Sequence, residues 1–527
     1  MATVYVRADG TETVKGDATS DASADTSLNA TSLDAIAASM EAGDEIIFSD
    51  KGGDFDQYSS GGLPTTGVQM KAAGSSGNPI KVRVSGDVVI SQRTKKTGWS
   101  TYGSNIWYCT HSSTMNQLFM DGVFGVRHAG ATLAAEGDYL VDLAGAYYGS
   151  VANRLYLYTG GNTSEYDPDN RYADVDVTNS SRSYAFDFNG YDYIELDASD
   201  GSLTAEKVYH SAVHSDAADT GGQTGLSVIN VIAQRAGRNG IILSKGADFL
   251  IDGCLARYCG KSGIYSALCT GAVLVQNSES YENGRYQDAA FDAVLVDTSG
   301  FGFWGNVDQS LQKETIIQNC YSHHNGPVGG GGSGSYGVGI WFDSCDGAAF
   351  ATRNVARKNR VEDNEGNGLY IEKCFYTDVY GNTVLRNGLN VSANGIYVDS
   401  KDGKDCTDNR IISNFVVGNN VGIRCVGDTT SGGAMDNNLF SQNHCYGNVS
   451  RQLWGRSGGD NLTYGSGNQY IMNYFGPEAT GFIIWTAGTT YSTYAAWEAA
   501  ANATAAGTVY TADAYWSRLL PSWYRRL

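Results

Sequence analysis

Four short pieces of this sequence repeat one pattern, Gly-apolar-large-apolar and a last residue, and in the first three the large residue is aromatic and the last is an acid. They are Gly339-Ile340-Trp341-Phe342-Asp343, Gly368-Leu369-Tyr370-Ile371-Glu372, Gly395-Ile396-Tyr397-Val398-Asp399 and Gly422-Ile423-Arg424-Cys425-Val426. Two carboxyl groups held side by side can divide acid and base work, one protonated and the other ionised, and this is how glycosidic bonds are hydrolysed. If each piece is a β-strand, its side chains alternate in direction. Ile340/Phe342, Leu369/Ile371, Ile396/Val398 and Ile423/Cys425 then face inward. Trp341/Asp343, Tyr370/Glu372, Tyr397/Asp399 and Arg424/Val426 face outward. Stacked strands lie about 4.8 Å apart, so Asp343 and Glu372 would sit roughly 5 Å from each other. That matches the spacing of about 5–5.5 Å in retaining glycosidases. Asp343 and Asp399, two strands apart, would be about 9.6 Å apart, at the upper edge of the inverting range. Asp297, which ends Val294-Leu295-Val296, extends the acid column upstream in this reading. Stacked like charges raise one another's pKa and keep one carboxyl protonated.

The second column, Trp341, Tyr370 and Tyr397, offers a flat apolar platform for the C–H faces of sugar rings. Arg424 continues it and can grip a hydroxyl or a carboxylate. Hydrolysis by such a pair needs no cofactor. The rival chemistry is β-elimination from a uronate-containing polysaccharide. It needs a base together with a cation, a basic side chain or Ca²⁺, to neutralise the sugar carboxylate. Lys373, Lys401, Arg353 and Arg424 are candidates for those roles, as are His323 and His324 before the glycine-rich loop. A third reading is a non-catalytic rod, in a virion or an adhesin, whose groove only binds glycan.

What must hold these columns is a solenoid. The four pieces recur at steps of 29, 27 and 27 residues, and a fixed period of 20–50 residues is the mark of a repeat architecture. The chain has 527 residues with 67 Gly and only 6 Pro, a composition of many tight turns between strands. Its net charge of −20 repels phosphate backbones and argues against a nucleic-acid partner. Ten cysteines show no CxxC or zinc-finger spacing, so they read as small buried thiols rather than metal ligands or a disulfide framework. No apolar run approaches membrane-spanning length. The opening Met1 to Val6 lacks the basic and apolar regions of a signal peptide. An extracellular or virion-associated protein is then expected either to have lost its leader or to leave its host another way.

In chain order, residues 4–6 alternate as a strand. Leu33, Ile36, Ala37 and Met40 follow at helical spacing, with Thr31 or Ser32 as N-cap and Gly43 as the stop. Asp44 to Phe48 and then Pro79 to Val84 and Val88 to Ile90 read as strands. Residues 99–175 read as early coils with long excursions. Asn277, Asn319, Asn354, Asn382, Asn414 and Asn443 each close an apolar stretch, as residues for left-handed bends whose amides can stack along the axis. Gly326 to Gly337 reads as a loop beside the acid column. Phe482 to Trp485 and Tyr494 to Ala500 form a last strand and helix, before an aromatic and basic tail from Tyr515 to Leu527.

The opening, with its helix ending in Gly43-Asp44 and its Asn78-Pro79-Ile80 strand, resembles the N-terminal cap of right-handed parallel β-helix (pectate-lyase-like) carbohydrate-active proteins. The strand ending Trp341-Phe342-Asp343, the turn at Asn354 and the later strand ending in Glu372 resemble a pattern in bacterial and viral β-helix glycoside hydrolases. That resemblance implies Asp343 as nucleophile or base and Glu372 as proton donor. A second, sugar-grasping domain of some such enzymes has no evident counterpart in this sequence. The expectation is an all-β, single-stranded right-handed parallel β-helix with a short N-terminal capping helix and a small C-terminal helix and strand cap. Residues 1–98 are cap and first coils, 99–480 the β-helix and 481–527 the C-terminal cap and tail. Its expected partner is a polysaccharide.

Overall fold

The structure is a computed structural model. It describes residues 3–8, 30–50, 54–55, 67–112, 117–127, 132–142, 144, 146–148, 151–178, 182–216, 222–284, 298–305, 312–327, 337–347, 352–388, 393–428, 433–455, 462–463, 466–485, 489–503 and 507–511. The chain divides into two compact units, and each is a stretch of parallel β-helix.

The first unit is built mainly from residues 1–243. Thr3–Arg7 pairs in parallel with Glu45–Ser49, which pairs with Ile80–Ser91. Val4, Val6, Ile46, Phe48, Val82 and Val84 alternate inward and are buried, as period-two patterning requires. The helix Ala30–Ser39 buries Ile36 and Ala37, and Met40 beyond it. It begins before Thr31 and Ser32, so those residues lie in its first turn and not at the N-cap. Gly43 takes a left-handed φ of 87° where the chain leaves the helix, a conformation that costs glycine little.

The reading of residues 99–175 as early coils is corrected. Arg154–Tyr158 pairs antiparallel with both Ile106–Thr110 and Asp138–Asp142, and Val175–Val177 pairs antiparallel with Leu118–Met120. Trp99, Trp107, Leu118, Leu155, Leu157 and Val177 close a core of their own between these strands. A run such as Leu155-Tyr156-Leu157-Tyr158 alternates identically whether its partner is parallel or antiparallel, so the pattern alone does not separate coil from lobe.

The second unit, mainly from residue 297 onward, has three faces, and its regular coils give one strand to each. One face stacks Ile264–Ala267, Ser299–Trp304, Val338–Asp343, Leu369–Glu372, Asn394–Ser400, Val421–Asp428 and Arg451–Gly455, all parallel and in register. The inward residues of the four opening pieces, Ile340 through Cys425, expose no surface. Ile483–Trp485 and the helix Tyr494–Ala503 follow, with the fully buried Trp497 packed against Trp485, Tyr470 and Phe475, and Gly507–Thr511 then pairs in parallel with Asn468–Asn473. The tail from Tyr515 lies outside the described residues, as do Val294 to Asp297 and most of the glycine-rich loop.

The asparagines divide into two kinds. Asn277 and Asn319 make left-handed bends (φ 51° and 54°). Asn382, Asn414 and Asn443 instead belong to a buried ladder, Asn359–Asn382–Asn414–Asn443–Asn473, in which each Nδ2 donates to the next Oδ1 at 2.9–3.0 Å. Their bends fall one residue earlier, at Gly381, Ser413 and Gln442. Asn354 takes neither part, and its Oδ1 accepts from the Thr315 amide at 2.9 Å. A second ladder, Asn283–Asn325–Asn364–Asn387–Asn419–Asn448, runs behind the face that carries the acids.

Candidate active site

The glycine that opens each piece is there for want of room. A Cβ on Gly368 would lie 2.6 Å from Val384 Cγ1, 2.7 Å from the Gly395 carbonyl and 2.8 Å from Asn387 Nδ2. Gly339 and Gly395 are pressed in the same way against Asn364 and Asn419. The ladder therefore fixes where each strand starts, and the strand's period of two carries that register to its last residue. Asp343 pairs with Glu372, and Glu372 with Asp399.

Although these acids lie on the outer side of the sheet, Glu372 and Asp399 are closed over and Asp343 is half-buried. Glu372 is 2% and Asp399 6% exposed. Lys373 Nζ lies 3.2 Å from Asp343, 3.4 Å from Glu372 and 3.6 Å from Asp402. Lys401 Nζ lies 3.2 Å from Glu372. One ammonium touches both Asp343 and Glu372, so their carboxyl groups are first neighbours. Ser344 Oγ donates to Asp343 at 2.8 Å, and Tyr370 Oη donates to Asp399 at 3.2 Å. Burial pushes the Asp343 pKa up to about 6, with the neighbouring charge of Glu372 adding to the rise and Lys373 opposing it. Burial lifts Asp399 to about 7 against the hydrogen bond from Tyr397. Lys373 is raised despite its own desolvation, because Asp343 and Glu372 hold its charge. Ser344 and Lys373 both take left-handed φ values (57° and 52°) directly after their acids, the bend that folds Lys373 back over the column.

The aromatic column is present but is not a platform. Trp341, Tyr370 and Tyr397 stack face to face, with centroids 5.5 and 4.8 Å apart and planes within 16° and 6°. Trp341 and Tyr370 are buried. Ring faces spent on each other cannot take a sugar, so the flat platform of the sequence reading is corrected to plates seen edge-on. Arg424 continues the stack, its guanidinium 4.8 Å from the Tyr397 ring and 4.7 Å from Trp454.

Asp297 lies outside the described residues, and the position paired with Asp343 on its upstream side is Trp304. This half-buried indole was missed by sequence reasoning. Gly300-Phe301-Gly302-Phe303 repeats the opening pattern, but its step to the next piece is longer than the later ones, which hid the register. His323 is not brought to the acids either. Its strand, Tyr321–His323, belongs to another face, where the ring stacks between Tyr281 and Tyr321 and its Nε2 lies 2.9 Å from Glu279. His324 pairs with it there. Arg353 is buried on the third face against Asp378.

Residues 332–481 match a family model described as periplasmic copper-binding protein (NosD). A search among curated proteins finds no match. Similar solved structures include these three. The complex of XylC with xylose is 14% identical, with 89% of this chain and 75% of that one covered at a TM-score of 0.47. A glycoside hydrolase is 10% identical, with both chains covered fully at 0.43. A mannuronic-acid-specific family 6 polysaccharide lyase from human gut microbiota is 10% identical, with 93% and 88% covered at 0.41. No helix among the described residues is long and apolar enough to cross a membrane.

Proposed function

We propose that this protein is a glycoside hydrolase that cleaves a polysaccharide with retention of configuration, using Asp343 and Glu372 on neighbouring rungs. The observation that carries this reading is their in-register pairing under one shared lysine. Rung spacing of about 4.8 Å suits the retaining separation and leaves no space for an inverting water between them. Following the resemblance, Asp343 attacks the anomeric carbon and Glu372 protonates the departing oxygen. Trp304, next along the column, presents an aromatic surface to the sugar. Asp399 supports the pair from the following rung.

Elimination at this column is disfavoured by its own cations. Lys373 and Lys401 are held by carboxylates, and Arg424 lies between two rings. An ammonium whose pKa is raised is a poor base, and one already paired is a poor clamp for a uronate. Both lysines supply the positive charge that Ca²⁺ would otherwise bring to the acids. Copper, which enters through the description of the matched family, finds no cluster of three or more His, Cys, Asp or Glu among the described residues. The thiols of that segment are buried, and those of Cys345 and Cys374 donate to backbone carbonyls. No step is derived through copper.

A nucleophile must be ionised, so the acid limb of kcat/KM should fall as pH drops through about 6, the Asp343 value. On a panel of neutral and acidic glycans the protein should release reducing ends without absorbance at 235 nm, and proton NMR should show the retained anomer first. Asp343→Asn and Glu372→Gln should each lower kcat by about 10³-fold or more. Full activity in both variants would sink the pair, and trapping of a 2-fluoro sugar on Glu372 instead of Asp343 would reverse the roles.

A further inference from the structure

The face that carries Tyr321–His323 changes character along its length. Its strands stack in parallel as Glu279–Tyr281, Tyr321–His323, Arg360–Glu362, Thr383–Leu385, Phe415–Val417 and His444–Tyr446, and Tyr474 bridges to His444 on the next rung. The middle residue of each strand, from Ser280 to Cys445, is buried, so the first and third lie on the outer side. On the early rungs these outer residues include Glu279, His323, Arg360 and Glu362. On the later rungs Leu385, Phe415, Val417 and Tyr446 line a groove of about 450 Å³, and Arg386 is the one charged residue in its lining. That guanidinium is already taken, by Asp363 at 2.7 and 2.8 Å and by Glu362 at 3.1 Å. The bends that follow the strands open the groove. They carry Asp363 and Arg386 on the earlier rungs and Gly418 and Gly447 on the later ones, all at left-handed φ. A Cβ on Gly447 would meet nothing within 4 Å, so the wall that a side chain would build is missing there.

This strip is also without acids. Residues 383–388, 415–420 and 444–449 contain no Asp or Glu, although the chain has 56, and Arg386 is their only Lys or Arg. Burial lowers the pKa of His444 and so disfavours a charge on that ring. Of the five large hydrophobic residues that stand exposed among the described residues, three belong to these last rungs. They are Tyr446 at 40% and, at the bends on either side, Val449 at 73% and Met472 at 38%. Exposed apolar surface gathered in one place marks a contact, and charge decides its partner. A cationic protein would be drawn by acids, and the strip has none. A sugar chain needs polar groups convergent on it beside the rings, and the one guanidinium is spent on two carboxylates. Two copies of a chain with a net charge of −20 repel each other over most of their surface. They can meet where both surfaces are apolar and uncharged, and this strip meets that condition against itself.

We propose that this strip pairs two copies of the chain about a two-fold axis, with Tyr446 and Val449 of each copy seated in the groove of the other. A two-fold contact must be self-complementary, and the strip holds both parts, projecting side chains at its last rungs and a groove beside them. The axis runs across the strands' stack, so the two copies lie antiparallel and the last rung of one covers the groove of the other. The strip spans four rungs, about 14 Å. The pair is therefore expected to bury less than the roughly 800 Å² per partner of a tight complex and to form at micromolar concentration. The acid column lies on a different face and stays open in the pair.

Sedimentation velocity of the full chain from about 1 to about 100 µM tests this. The wild type should pass from monomer to dimer across that range, and more completely as salt screens the remaining repulsion. Val449→Asp and Tyr446→Glu bring like charges together in the contact, and each should weaken the dimer by about tenfold or more. Both side chains are exposed, so the melting temperature of the dilute monomer should stay unchanged. A wild type that stays monomeric at every concentration overturns the proposal and leaves the strip to a glycan or a different protein. A dimer that both variants keep overturns it by placing the contact elsewhere, and a trimer overturns it because a two-fold contact closes at two. Neither substitution touches Asp343 or Glu372, so glycan cleavage by these variants reports on that reading separately.

Discussion

Asp399 is costly to keep ionised. It is 6% exposed and its pKa stands at about 7, against about 3.8 for an ordinary aspartate, chiefly because burial penalises its charge. A carboxyl raised on folding adds stability that is fully present below its unfolded value and is lost as pH rises through its folded value. For Asp399 that window runs from about pH 4 to about pH 7, and above it the fold carries the cost of a buried anion. Asparagine keeps the shape and an oxygen to accept from Tyr370 but has no charge to bury. Asp399→Asn should therefore leave the melting temperature nearly unchanged at pH 4 and raise it at pH 8, by on the order of 2–4 kcal/mol of stability at most. Thermal melts of both proteins across that range check this, and an equal shift at the two pH values would show that charge is not the cause. A gain in stability with a loss of activity is the usual mark of a strained functional site.

The elements that place the acids depend on contacts behind the sheet. Asn387 donates to Asn419 at 3.0 Å and to the Val361 carbonyl at 3.0 Å, and it accepts from Asn364 at 2.9 Å. Removing its amide leaves buried partners unsatisfied at about 1–3 kcal/mol each, so Asn387→Ala should cost several kcal/mol in a denaturant melt. Asn277→Gly sits at a left-handed bend and should cost far less, since glycine adopts that φ freely. Gly368→Ala makes a sharper claim, because its methyl would meet the Gly395 carbonyl at 2.7 Å, a backbone atom that cannot turn aside. It should destabilise the coil and, by shifting the Asp343–Glu372 register, depress kcat more than a remote core change of equal cost. Equal stability loss with normal kcat in Gly368→Ala would detach the ladder from the site.

At the scale of the chain, the parallel coil and the acid column were legible because glycine, alternation and period agree over the four opening pieces. What was not legible lay wherever linear order misleads. His323 is close to Trp341 in sequence yet lies on another face, and the step that hid Trp304 is lengthened by an insertion. The antiparallel lobe within residues 94–177 alternates as a coil would, and the stacking of Trp341 on Tyr370 is a matter of ring orientation that no spacing reports. The cysteines illustrate the opposite case, in which composition and structure agree. All ten are buried thiols with no disulfide among them, and burial raises the thiol pKa values of Cys374 and Cys406 and lifts Cys109 and Cys425 to about 12. A thiol reacts as its thiolate, so these groups are shielded by both access and ionisation. The native protein should therefore release almost no thionitrobenzoate from Ellman's reagent at pH 8 over an hour, and the same sample in guanidinium chloride without reductant should release ten equivalents. Fewer than ten after unfolding would reveal a disulfide, and a rapid native phase would place at least one cysteine outside the packed coil.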